Sequence, residues 1–115
     1  MYCCINLNIL IYNFLMNNFL IITGGAGFVG SNLIKHLIHK TKYNLISIDN
    51  YSTGSIKNHI VSKRVKYIEG DTNKIFEILK SYKKKIHTIF HFGEYARIHQ
   101  SFYDTKGCFD SNLSG

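Results

Sequence analysis

The 115-residue sequence has no proline, no tryptophan and only three cysteines. It contains no low-complexity linker and no internal repeat, so it reads as one domain or part of one. Cys3 and Cys4 are adjacent and Cys108 stands alone. That set lacks the spacing of metal ligands or of a disulfide framework and fits a reduced, cytoplasmic setting. His36 and His39 lie at i, i+3 on an expected helix without a second ligand pair nearby in sequence, so no metal site is expected and both read as solvated. Long apolar runs are missing as well. Residues 1–15 are apolar but broken by Asn6, Asn8 and Asn13. They have neither the basic start and small-residue cleavage site of a secretory signal nor the roughly 20 apolar residues of a membrane span. They are expected to form an N-terminal extension outside a domain of residues 16–115, because Met16-Asn17-Asn18 before an apolar run resembles a natural start.

Acidic residues are scarce: 7 against 14 lysines and arginines, a formal charge of +7. Twelve of the 14 are Lys, and Ile, Lys and Asn supply 40 residues of the chain. This is the signature of AT-rich coding bias. The basic balance therefore does not argue for a nucleic-acid or membrane partner, and no recognition motif does so. A composition 45% hydrophobic and 18% charged excludes wholesale disorder.

The apolar pattern alternates between strand and helix. Short apolar runs at residues 19–23, 44–48, 65–68 and 86–92 read as buried parallel strands. Between the first two, Val29, Leu33, Ile34, Leu37 and Ile38 have the spacing of one helical face over residues 28–40. Ile75, Phe76, Ile78 and Leu79 predict the apolar side of a second long helix, and the tail from about Phe102 to Gly115 reads as helical. Such alternation implies a doubly wound, three-layer α/β fold with right-handed crossovers and strand order 3-2-1-4.

Chemistry concentrates where the first strand meets the first helix. Thr23-Gly24-Gly25-Ala26-Gly27-Phe28-Val29-Gly30 satisfies both G-x-G-x-x-G and G-x-x-G-x-x-G. One glycine permits the tight turn, one lets a pyrophosphate approach the backbone, and one lets the helix pack on the strand. The helix N-terminus then offers free N–H groups and the positive end of its dipole to phosphate. The spacing alone is weak; its position after a strand and at the start of an amphipathic helix gives it meaning. Asp49, 19 residues after Gly30 at the end of the second strand, is a second, independent clue. A carboxylate there accepts hydrogen bonds from ribose hydroxyls and repels a 2′-phosphate, favouring NAD over NADP. Asp71, ending the third strand, reads equally as an acceptor beside the adenine or as the N-cap of the next helix.

With these residues in order, the chain resembles the extended short-chain dehydrogenase/reductases, and more narrowly the NAD-dependent sugar-nucleotide epimerases and dehydratases. Its motifs are the glycine turn, Asp49-Asn50-Tyr51-Ser52-Thr53-Gly54, Gly70-Asp71 and Phe90-His91-Phe92-Gly93. The resemblance implies a Rossmann-type fold and a set of cofactor contacts. Gly24, Gly27, Phe28, Val29 and Gly30 match the pyrophosphate turn. Asp49 and Asn50 match the adenosine ribose positions, and Thr53 and Gly54 the loop on the adenosine side. Asp71 and Thr72 match the pair flanking the adenine. Phe92, Gly93 and Glu94 match the loop lining the middle of the cofactor and the nicotinamide ribose. Asn112, Leu113 and Gly115 resemble the Asn-Val-x-Gly stretch of the following helix. The family usually has Ala and then a small residue where Gly93 and Glu94 stand, and a carboxylate beside a pyrophosphate calls for compensation by Arg97 or a substrate group.

In the family the resemblance names, a Tyr whose phenol pKa is lowered by a Lys four residues later, with a Ser or Thr nearby, acts as general base on a sugar hydroxyl as hydride passes to the nicotinamide. None of the eight tyrosines has Lys at that spacing. No catalytic residue is therefore assigned. The expectation is the front of a cofactor domain, without its later strands or substrate domain. It binds NAD, and meets a nucleotide sugar only as part of a complete enzyme. The alternatives are a non-catalytic remnant or a nucleotide-sensing binding module. An uncovered fourth strand is expected to promote self-association.

Overall fold

The computed structural model describes residues 18–114. The expected extension at residues 1–15, with Cys3 and Cys4, lies outside that range. Four strands form one parallel sheet in the order β3-β2-β1-β4: β1 Phe19–Thr23, β2 Asn44–Asp49, β3 Val65–Glu69 and β4 Ile86–His91. Helix α1, Phe28–Lys40, links β1 to β2, as the periodicity predicts.

Alternation along β1 and β2 divides the core. On one face Leu20, Ile22 and Leu45 pack against Ile34 and Leu37 of α1. On the other, Ile21, Ile46 and Ile48 pack against Leu79 and its neighbours Ile75, Ile78 and Tyr82. The three expected layers are present. Between Phe19↔Ile86 and Leu20↔Thr88 the β1–β4 register shifts by one residue. Ile86 thus joins the second cluster and Phe90 the first.

The expected second long helix is replaced by one α turn, α2 Ile75–Ile78, between 3-10 segments Thr72–Lys74 and Lys80–Lys85. Two features account for the shortening. Asp71, the residue placed to cap the helix, directs its carboxylate to Asn50 and makes no side-chain cap. Lys80, Lys83 and Lys84 then repeat like charges at i, i+3 and i+4. The tail forms α3 Ile98–Ser101, α4 Thr105–Phe109 and a π turn Asp110–Ser114.

Helix α1 ends without glycine. The Arg64 guanidinium donates to Ile38 O in the last turn of the helix and to Thr41 O (2.8 Å) and Tyr43 O (3.2 Å) in the segment that follows, tying the end of α1 to its exit. Among the described residues no helix is long and apolar enough to cross a membrane.

Candidate functional site

β1 lies between β2 and β4, so the chain winds outward in opposite directions from it and leaves a crevice at the carboxyl ends of the strands. A cavity of about 560 Å³ opens there. It brings together Gly24, Gly27, Asp49, Asn50, Thr53, Asp71, Thr72, Phe92, Gly93 and Glu94 of the residues expected from the sequence. Phe28, Val29, Gly30 and Gly54 do not line it.

The glycine turn is shaped by contacts that a side chain would prevent. Gly24 has φ +68°, and a Cβ there would lie 2.6 Å from Phe92 O. A Cβ on Gly30 would lie 2.3 Å from Gly24 O and 2.7 Å from Gly25 Cα, so this residue lets α1 start against the turn. One on Gly25 would strike Ser47 Oγ at 2.0 Å. Ser47 is fully buried beneath it, its hydroxyl without a partner among the described residues. Gly27 is different: its Cβ would meet only Gly24 O, at 3.3 Å. Its openness serves whatever approaches from outside.

α1 begins at that opening. Its N-cap, Gly27, offers no side chain, and its first turn carries no acidic residue. The amides of Phe28, Val29 and Gly30 fall in that first turn, where helix geometry supplies no acceptor. Phe28 and Val29 project their side chains into solvent. An uncapped, 13-residue helix facing a cavity is a fit for an anion.

Asp49, at the end of β2, accepts from Ala26 N through Oδ2 (2.9 Å) and from Tyr51 N through Oδ1 (2.8 Å). Each oxygen keeps lone-pair capacity toward the cavity. Tyr51 has φ +56°, the left-handed conformation that lets the chain turn at once after Asn50. Its hydroxyl lies 2.9 Å from His59 Nε2, and His59 stacks on Tyr67 at 3.7 Å. Burial first, then the nearby Asp49 and Glu69 carboxylates, raises the Tyr51 phenol above its ordinary pKa. Asn50 Nδ2 donates to Asp71 Oδ1 (2.6 Å), joining the ends of β2 and β3. Asp71 is thus an acceptor on the cavity wall and not a side-chain cap.

Thr23 heads the glycine motif in the sequence without a role of its own, yet it organises the loop after β4. Its buried Oγ1 accepts from Phe92 N (3.0 Å) and Gly93 N (3.1 Å) and lies 2.7 Å from His91 Nδ1. With both lone pairs engaged, the hydroxyl hydrogen goes to Nδ1. A Cβ on Gly93 would fall 2.8 Å from Thr72 Cγ2. Glu94 Oε1 lies 3.8 Å from His91 Nε2. Asn112 pins the next residue from both sides: Tyr95 N donates to Oδ1 (2.6 Å) and Nδ2 donates to Tyr95 O (3.1 Å). Arg97, Asp104 and Asp110 also line the cavity. The signal for Thr23 was a polar residue ending an otherwise apolar strand; Asp104 and Asp110 carried none.

Fold and site together define a dinucleotide-type α/β domain. The profile of the NAD dependent epimerase/dehydratase family matches residues 20–115, and the chain belongs to that family. It is 30% identical over 95 residues to the UDP-glucose 4-epimerase of Lacticaseibacillus casei, covering 82% of this chain and 28% of that protein. The UDP-glucose 4-epimerase of Lactobacillus helveticus is 28% identical over 96 residues, covering 83% of this chain and 28% of its own length. Among solved structures, the Bordetella bronchiseptica enzyme WbmF in complex with NAD+ superposes with a TM-score of 0.76 at 28% identity, over 85% of this chain and 29% of that one. The UDP-glucose 4-epimerase of Brucella ovis in complex with NAD gives 0.69 at 27%, over 84% and 29%. The chain therefore spans under a third of the length of the proteins it matches.

Proposed function

We propose that this chain is the NAD-binding portion of a sugar-nucleotide epimerase or dehydratase. The observation that carries the reading is the uncapped start of α1 opening, through Gly27, into a cavity that the Asp49 carboxylate also lines. The first-turn amides hold a pyrophosphate, Asp49 and Asn50 take the adenosine ribose, and Asp71 with Thr72 borders the adenine. Phe92, Gly93 and Glu94, fixed by Thr23, border the middle of the cofactor and the nicotinamide ribose. Bound NAD supplies a hydride acceptor for oxidation of a sugar carbon bearing a hydroxyl. The NAD complexes among the similar structures support this cofactor.

The general base that removes the hydroxyl proton is not among this chain's tyrosines, none of which has Lys four residues on. The pure 115-residue chain is therefore expected to bind NAD without turning over any UDP- or GDP-sugar. Calorimetric titration with NAD and a coupled turnover assay test the two halves of that statement. Turnover by the pure chain would overturn the assignment of the base to another segment. A reduced compartment and a nucleotide-sugar substrate met only in the complete enzyme complete the proposal.

Asp49 sets the choice of dinucleotide. Its replacement by Ala is expected to weaken NAD binding by about 1–3 kcal/mol, the cost of losing hydrogen bonds to a charged acceptor. The parent should discriminate against NADP, whose 2′-phosphate would face that carboxylate. Titrations with both dinucleotides check this, and equal affinity of the parent for the two would refute it.

A further inference from the structure

The loop between β2 and β3 does more than wall the cavity. Ala26 is held through both of its backbone groups, which belong to successive peptides. Its N–H donates to Asp49 Oδ2 at 2.9 Å. Its carbonyl accepts from Ser55 N at 3.0 Å and from Asn58 Nδ2 at 2.7 Å. Ala26 is wholly buried, and Gly54 lies so close that a Cβ there would come within 2.9 Å of Ala26 Cβ. This alanine sits inside the glycine turn, one residue before the N-cap of α1. A carbonyl that accepts two hydrogen bonds has both lone pairs engaged, so the plane of its peptide is fixed. That peptide carries the Gly27 N–H at its other end, which donates to Gly24 O at 3.1 Å within the turn, so the amides that follow it in α1 are the ones left free. Asn58 is the one side chain in this arrangement that belongs neither to the glycine turn nor to the end of β2. It stands at the last position of the 3-10 turn Ile56–Asn58, which Ser55 caps by accepting from Lys57 N.

We infer that Asn58 is a positioning residue: by donating to the Ala26 carbonyl it sets the orientation of the peptide that opens α1, and so the aim of the first-turn amides at the cofactor's pyrophosphate. The inference rests on the reading of the cavity as a dinucleotide site. It makes the Asp49–Asn58 loop and the glycine turn one rigid body. The ribose acceptor and the phosphate donors then stay in register when the cofactor binds. Asn58 itself does not line the cavity. Its influence on binding passes through Ala26.

The test uses Asn58→Asp, which keeps the shape and replaces the donating amide with an oxygen facing the carbonyl. Asn58→Ala serves as the uncharged control. Titrations of parent and variants with NAD, ADP and adenosine separate the phosphate contacts from the ribose contacts. The expected result is about tenfold weaker NAD and ADP binding, the loss of one aligned hydrogen bond, with adenosine affinity unchanged. In the dinucleotide-free protein the amide resonance of Gly27, which shares the affected peptide, should move in both variants. Equal losses for adenosine and NAD would mean that the loop has simply collapsed, and would overturn the inference. So would unchanged NAD binding, or an unmoved Gly27 resonance. A parent that binds no NAD would count against the dinucleotide reading itself, and the Gly27 resonance alone would then decide the role of Asn58.

Discussion

Gly30→Ala is expected to abolish dinucleotide binding and to destabilise the domain by about 1–3 kcal/mol or somewhat more, the range for forcing extra volume into a packed site. The added Cβ would stand 2.3 Å from Gly24 O and 2.7 Å from Gly25 Cα, and both are backbone atoms that no rotamer change can move aside. Helix α1 must then lift from the turn, taking with it Ile34 and Leu37, two of the buried residues on that face of the sheet. Gly27→Ala separates the two roles of the motif. There the new methyl meets only Gly24 O at 3.3 Å, a contact the turn can absorb. Its outward face nevertheless narrows the approach to the first-turn amides. The expected pattern is a thermal midpoint clearly lowered in Gly30→Ala and little changed in Gly27→Ala, with NAD binding lost in the first and weakened in the second. A Gly30→Ala variant that melts like the parent and binds NAD would show that the turn is not held as the structure has it.

That pair of glycines also shows how far the sequence could be read. Local rules were enough for the glycine turn, because tight turn, close backbone approach and helix packing each demand a missing side chain at a set spacing. Strand order followed from alternation and from the turn's location after the first strand. The second helix failed in part on the like-charged lysines after Leu79, which are legible locally, and in part on a contact that no local rule contains. Asp71 looks like a cap until β2 brings Asn50 within 2.6 Å of it, 21 residues earlier in the chain. The roles of Thr23, Asn58 and Arg64 were invisible because of such contacts. Each acts on backbone groups remote in sequence, Arg64 on the end of α1 and Thr23 on a loop some 70 residues away. The residues expected to touch the cofactor mostly share one cavity, whereas those holding them in place emerge only once the chain is folded.

The 115-residue chain should self-associate in dilute buffer. β4 pairs with β1 on one side only and is an edge of the described sheet, so its outward N–H and C=O groups are open to another strand. The register shift in β4 places Ile89 opposite Ile21, yet Ile89 remains 49% exposed while Ile21 is wholly buried. The short α2 turn does not reach far enough to cover it. Apolar exposure continues beyond the strand, with Phe92, Ile98, Phe102, Phe109 and Leu113 all in contact with solvent. Exposed apolar residues near an unpaired parallel edge are what natural sheets block with charge or cover with another element. The segment carries the opposite, since the Lys83-Lys84-Lys85 run ends just before the strand begins. Size-exclusion chromatography with light scattering should therefore give a mass above that of one 13.3 kDa chain, increasing with concentration. Ile89→Lys, which sets a charge on the exposed position of the edge strand, should shift the population toward monomer. A sharp monomer peak for the parent, with a cooperative melt above about 50 °C, in the ordinary range for mesophile domains, would refute the expectation.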